Sequence, residues 1–161
     1  MDDDPAAHIR RRRRLATALQ PDIRCPAGNL HGTTSAGGAH GDRTVFELTP
    51  DSSGTWGETI LHSFHPETKG GEVPLAGSVA DGKGNLYGTT SQGSAFGGGE
   101  VFMFTPNEGG GWTKRVLHDF GKAPDGARPE ANLILDADGN VCGTTQGGGA
   151  YGDGTVFEII P

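Results

Sequence analysis

The chain holds no apolar run approaching the ~18–20 residues that cross a bilayer as a helix. It also lacks a secretory signal in its first 26 residues. Arg10 to Arg14 could serve as a basic start, but Leu15-Ala16-Thr17-Ala18-Leu19-Gln20-Pro21 is too short and too polar for the apolar stretch that must follow. Cysteine is scarce. Cys25 lies outside the repeated phrases described below and Cys142 has no cysteine at its equivalent positions, so no disulfide framework is expected. Basic charge is short as well. The net charge is −7, which argues against nucleic acid as a partner. Residues 1–26 carry +2, leaving −9 for the remainder, and they read as a disordered Arg-rich arm ahead of the folded body at 27–161. With 33% apolar residues, the core must be modest.

What the chain has in excess is glycine, 29 residues without a collagen triplet, as an all-β repeat protein with many tight turns requires. Three near-copies of one phrase organise it: Gly28 to Pro50, Gly84 to Pro106 and Gly139 to Pro161. Their starts are 56 and 55 residues apart, and each is 23 residues long without a gap. Self-similarity at that period signals a repeat architecture. The three units run 28–71, 72–126 and 127–161.

Strand signals come four times in the central unit: Pro74 to Ala80, Asn85 to Ser91, Glu100 to Thr105 and Trp112 to Phe120. Turns every 8–12 residues indicate antiparallel hairpins rather than βαβ units. Alternation puts Phe46/Leu48, Phe102/Phe104 and Phe157/Ile159 on one face, and Val45, Val101 and Val156 on the other. Four antiparallel strands per unit fit a blade of a β-propeller. The first unit is expected to lack its opening strand and the third to stop before its fourth. The prediction is an incomplete β-propeller-like array of about two and a half four-stranded blades.

The residues Asp81 to Thr90 and Asp136 to Thr145, followed by Thr44 to Pro50 and Thr155 to Pro161, resemble the GloVer-type tandem repeat of choice-of-anchor proteins. The resemblance covers residues 28–161. It implies a bacterial, exported, propeller-like array without an assigned molecular role, hence an extracellular or cell-envelope location. The turn Asp136-Ala137-Asp138-Gly139-Asn140 also resembles, more generally, blade turns of NHL-type propellers. An array this short leaves blade faces and edges open. A fragment of a longer gene is the favoured account, ahead of closure by self-association through exposed edges and of an open stack.

Several chemistries can be weighed. Asp136 to Asn140 begins like a calcium loop, but position 12 of such a loop falls on Gly147, where a Glu is required, so a hairpin turn is the better reading. The glycine loops lack the Lys-Ser/Thr of a phosphate cradle and no helix follows them. His62 and His118 recur at equivalent places, as packing or hydrogen-bonding groups rather than members of one unique catalytic triad. The remaining histidines are scattered, so neither metal nor cofactor is expected. The loops after the Thr-Thr pairs are more suggestive, presenting His40, Phe96 and Tyr151 at one offset. A ring of such residues could stack on sugar or peptide ligands. The alternative, favoured on sequence, is that each ring packs down on its own glycine loop. The expected function is therefore a non-enzymatic binding or scaffolding module with no ligand assigned, carbohydrate and protein being the candidate classes. A propeller-type polysaccharide lyase or hydrolase is the alternative, as is a fragment without independent function.

Overall fold

The computed structural model describes residues 16–24, 28–36, 43–65 and 71–161. Among them the chain is all-β, without a helix, and so without a helix long and apolar enough to cross a membrane. Strands β1 (Ala16–Arg24), β2 (Leu30–Ala36), β3 (Arg43–Pro50) and β4 (Trp56–Phe64) form sheet 1 in sequential antiparallel order. Strands β5 (Val79–Ala80), β6 (Leu86–Thr90), β7 (Glu100–Pro106) and β8 (Trp112–Asp119) form sheet 2 the same way. The connector strand β9 (Gly126–Ala127) precedes β10 (Ile134–Leu135), β11 (Val141–Thr144), β12 (Gly147–Gly148) and β13 (Val156–Ile159). Sheet 3 is β10-β11-β13, while β12 pairs with β9.

One expectation is corrected here. The sequence places a disordered arm over residues 1–26 and no opening strand in the first unit; residues 16–24 instead form β1, which pairs with β2, while the rest of that arm lies outside the described residues. The pairing is irregular, with register shifts between Ala18 and Gln20 and between Pro21 and Arg24. Such bulges let a strand without the repeat signature, and with a proline in it, still occupy a sheet edge. The other departure is in the central unit, where Pro74 to Ala80 contributes only β5 to the ladder. Its earlier polar groups are satisfied sideways instead. Ala76 carbonyl accepts from Thr33 Oγ1 at 3.2 Å, and Gly77 N donates to Asn132 Oδ1 at 3.0 Å.

The repeated phrase makes physical sense in this frame. Gly32, Gly88 and Gly143 lie opposite Phe46, Phe102 and Phe157 in the antiparallel ladders. A Cβ on Gly88 would lie 2.5 Å from the Phe102 ring, and one on Gly143 equally close to Phe157, so the phenylalanine covers the space that glycine leaves. The second threonine bonds across the hairpin: Thr34 Oγ1 to Thr44 Oγ1 at 2.9 Å, and Thr145 Oγ1 to Thr155 Oγ1 at 2.9 Å. The turn before β6 is held by Asp81, whose Oδ1 accepts from Lys83 N and Asn85 N at 2.8 and 2.9 Å. Asp136 does the same for Asp138 N and Asn140 N. Bonds from Asn140 and Asp138 outweigh desolvation and hold the Asp136 carboxyl below its ordinary range. These are hairpin turns built on a side-chain cap.

Apolar side chains from neighbouring sheets form two layers. Val45 and Phe64 of sheet 1 pack against Leu86, Phe102 and Phe104 of sheet 2. On the opposite face of sheet 2, Tyr87, Val101 and the adjoining Phe120 pack with Leu133 and Val141 of the third unit. A fully buried phenylalanine contributes roughly 2–3 kcal/mol, so these rings carry much of a modest core.

Candidate functional site

The loops between β6 and β7 and between β11 and β13 contribute no residue to either apolar layer. Between β6 and β7 the chain needs several positive-φ residues, of which Gly99 (φ 90°) is the most confined. The loop is fixed by backbone bonds at its closing end. Gly99 N donates to Gly93 O at 3.2 Å, Gly99 O accepts from Phe120 N at 2.8 Å, and Ser94 Oγ donates to Gly99 O at 2.9 Å. Gly98 N donates to Phe120 O at 3.1 Å. The loop between β11 and β13 closes similarly, with Gly154 N on Gly148 O at 3.1 Å.

One connector stitches these two loops together. Arg128 N donates to Gly98 O at 2.8 Å, and its own carbonyl accepts from Gln146 N at 2.9 Å. The pairing of β9 with β12 extends the seam, placing both loops at one end of the array. Backbone bonds therefore order the loops, and the aromatic rings are not needed for it. Tyr151 is 93% exposed and stands clear of its loop, and Phe96 is 53% exposed, its ring about half open to solvent. The Lys122 ammonium lies 5.8 Å from the Phe96 ring centroid. His40 lies outside the described residues.

A family model described as the Gloeobacter/Verrucomicrobia repeat matches residues 18–161. The chain belongs to the Gloeobacter/Verrucomicrobia repeat family. This is the GloVer-type family that the repeated phrase resembles, and its match starts inside β1 rather than at Gly28. No curated protein and no solved structure matches the chain.

Within this Gloeobacter/Verrucomicrobia repeat the recurring histidines are packing groups. His62 stands edge-on to Phe64, with ring centroids 4.7 Å apart, and tilts against Phe104 at 5.6 Å between centroids. His118 stands edge-on to Phe120 at 4.6 Å, with Nε2 2.8 Å from Asp125 Oδ2. Desolvation, and secondarily the Lys114 charge, lower the His62 pKa from 6.5 to about 4. From pH 6.5 down to 4 the unfolded chain therefore takes up a proton that the folded chain refuses. Stability present above pH 6.5 is lost across that window, by ~2 kcal/mol after allowance for partial solvent exposure. Urea midpoints at the two ends of the window should show this loss. A His62→Gln variant whose midpoint falls as steeply would refute the assignment.

Sequence reasoning missed one grouping. Asp136, Cys142 and Glu158 bring one potential ligand atom each within 4.8 Å of the others. Its chemistry is that of a hydrogen-bonded turn rather than a metal centre. Asn140 Nδ2 donates to Asp136 Oδ2 and to Glu158 Oε1, both at 2.9 Å. Desolvation and the Glu158 and Asp136 charges push the Cys142 thiol up, away from the thiolate a metal would need. The equivalent positions in the earlier repeats are His31 and Tyr87. Both are engaged locally, His31 Nε2 lying 3.3 Å from Glu47, its cross-strand partner on β3, and Tyr87 Oη donating to the turn residue Asp81 at 3.0 Å.

Proposed function

We propose that the chain is a partial β-propeller, its sheets the blades, acting as a non-enzymatic bacterial binding module of the cell envelope or exterior. The observation that carries this reading is the exposure of Phe96 and Tyr151 at the tips of loops whose backbones are independently fixed. Two exposed rings on ordered loops at one end of an array offer preformed stacking platforms, at low entropic cost on binding. We assign carbohydrate as the ligand class, because the apolar faces of pyranose rings stack on such platforms. The acidic body disfavours polyanionic glycans, which leaves neutral or cationic ones.

A glycan array tests this directly. The protein should select neutral or amino sugars. Phe96→Ala and Tyr151→Ala should each weaken capture roughly tenfold, the loss of ~1.4 kcal/mol of stacking and burial. Neither change should move the thermal midpoint, because both rings lie outside the core. Unchanged capture in both variants, or no capture by the parent protein, would end the reading.

A further inference from the structure

The two layers between sheets are made from equivalent positions, and the third sheet repeats those positions without a cover. Val45 on the trailing face of sheet 1 and Val101 on that of sheet 2 are both 0% exposed, each beneath the following sheet. Val156 holds the same place on sheet 3 and is 84% exposed, and Ile134 on the same face is 65% exposed. His31 and Tyr87 are buried in the first two sheets, whereas their equivalent Cys142 is only half-buried.

The complementary face is visible too. Trp112 lies on the leading face of sheet 2, packs against the cluster holding Phe104 and Leu86, and meets His31 of sheet 1 edge to face, with ring centroids 5.7 Å apart. The equivalent residue on the leading face of sheet 1 is Trp56, which is 38% exposed. The same unit that covers His31 in the first layer is thus offered by sheet 1, and the site it covers is offered by sheet 3.

We propose that two copies of this chain associate head to tail, the trailing face of sheet 3 in each taking the leading face of sheet 1 in the other. Trp56 of one copy then covers Cys142 of the second, continuing the Trp112–His31 contact. A heterologous contact of this kind closes into a ring only at a stoichiometry that geometry permits. Propellers close with 4–8 blades. The three larger sheets of the described residues give six for two copies and nine for three, so two copies of the 161-residue chain make the closed form. This stoichiometry rests on the propeller reading above and is independent of the glycan assignment.

Sedimentation equilibrium of the 161-residue chain tests it, at up to about 100 µM and in ~0.5 M NaCl to screen Glu58 from Asp136 and Glu158. The expected mass is twice the 16.6 kDa of the chain. Val156→Asp and Trp56→Ala replace exposed side chains, so both variants should fold, and each should dissociate at least tenfold more readily. Mixing the two variants restores one intact interface and should recover a heterodimer. A monomeric parent chain overturns the proposal, as does a dimer indifferent to Trp56→Ala, which would mean a back-to-back contact. Absence of heterodimer on mixing does so as well. A recovered dimer that images as an elongated stack overturns the ring. Glycan capture should persist in both variants, because Val156 and Trp56 lie on sheet faces rather than on the loops. A failed glycan array would therefore leave the mass result standing.

Discussion

Gly99→Ala is expected to lower stability by about 3 kcal/mol or more, and with it the thermal midpoint by on the order of 10 °C. Two costs add at this position. Its φ of 90° is one that side-chain-bearing residues rarely adopt. A Cβ there would also overlap the Thr90 carbonyl oxygen and approach Pro129 Cδ at 3.1 Å. Neither neighbour can turn aside, since one is backbone and the other a ring. Relief requires moving Gly99 itself, whose carbonyl holds Phe120 N and Ser94 Oγ. Phe120 belongs to the second apolar layer, so loop damage reaches the core. Gly97→Ala separates the two costs. That residue has φ 77° with nothing within 4 Å of an added Cβ, so only the ~1 kcal/mol conformational penalty applies. Calorimetry should show Gly99→Ala falling well below Gly97→Ala. Equal midpoints would mean that the close approach to Thr90 carries no weight. Gly154 repeats the geometry, at φ 91° against Thr145 O, and Gly154→Ala should behave like Gly99→Ala.

Features of this kind were legible in the sequence because their causes are local. The Asp-x-x-Gly-Asn turns need a capping carboxylate and a positive φ, and both requirements are written in five residues. The all-β class, the hairpin order and the alternating faces of β3, β7 and β13 followed from period-two patterning. The pairing of β1 was not legible, because it rests on backbone bonds that survive two register shifts and leave no side-chain signature. The short ladder of β5 was hidden for the opposite reason. Its neighbouring backbone groups are claimed by Thr33 and Asn132, which lie 43 and 55 residues away. Phe96 and Tyr151 recur at one spacing in the sequence, but their exposure does not follow from it. The sequence favoured rings packed on their own loops, since glycine-rich loops need some anchor, and that anchor is the Arg128 connector. The Thr-to-Glu change at position 100 breaks the repeat in plain view. Its partner on the facing strand could be identified only once the register was known.

That partner makes Lys114→Ala the second large expected effect, a loss of about 3–5 kcal/mol. Glu100 is fully buried at the place where the flanking units carry Thr44 and Thr155. Lys114 Nζ reaches it at 2.5 Å, with the ammonium also 5.2 Å from the Phe64 ring centroid and 5.7 Å from that of Phe102. Apart from Lys114, no hydrogen-bond donor among the described residues serves either carboxylate oxygen. Removing the lysine therefore strands a charge in the apolar layer between sheets 1 and 2. The converse change is milder. In Glu100→Gln the ammonium, less deeply buried, can shift toward water along its flexible stem, and ~1–2 kcal/mol should be lost. Replacing both partners by the repeat's own solution, Glu100→Thr with Lys114→Met, offers position 100 the threonine-to-threonine contact of the flanking sheets. Its midpoint should return to within ~1 kcal/mol of the parent chain. Trp112, packed in the same layer, makes indole fluorescence in urea a direct readout. Lys114→Met alone decides between charge and packing. It keeps most of the stem volume, so a midpoint near that of Lys114→Ala assigns the effect to the stranded carboxylate. A midpoint near the parent chain would instead make Lys114 a packing residue and the ion pair incidental.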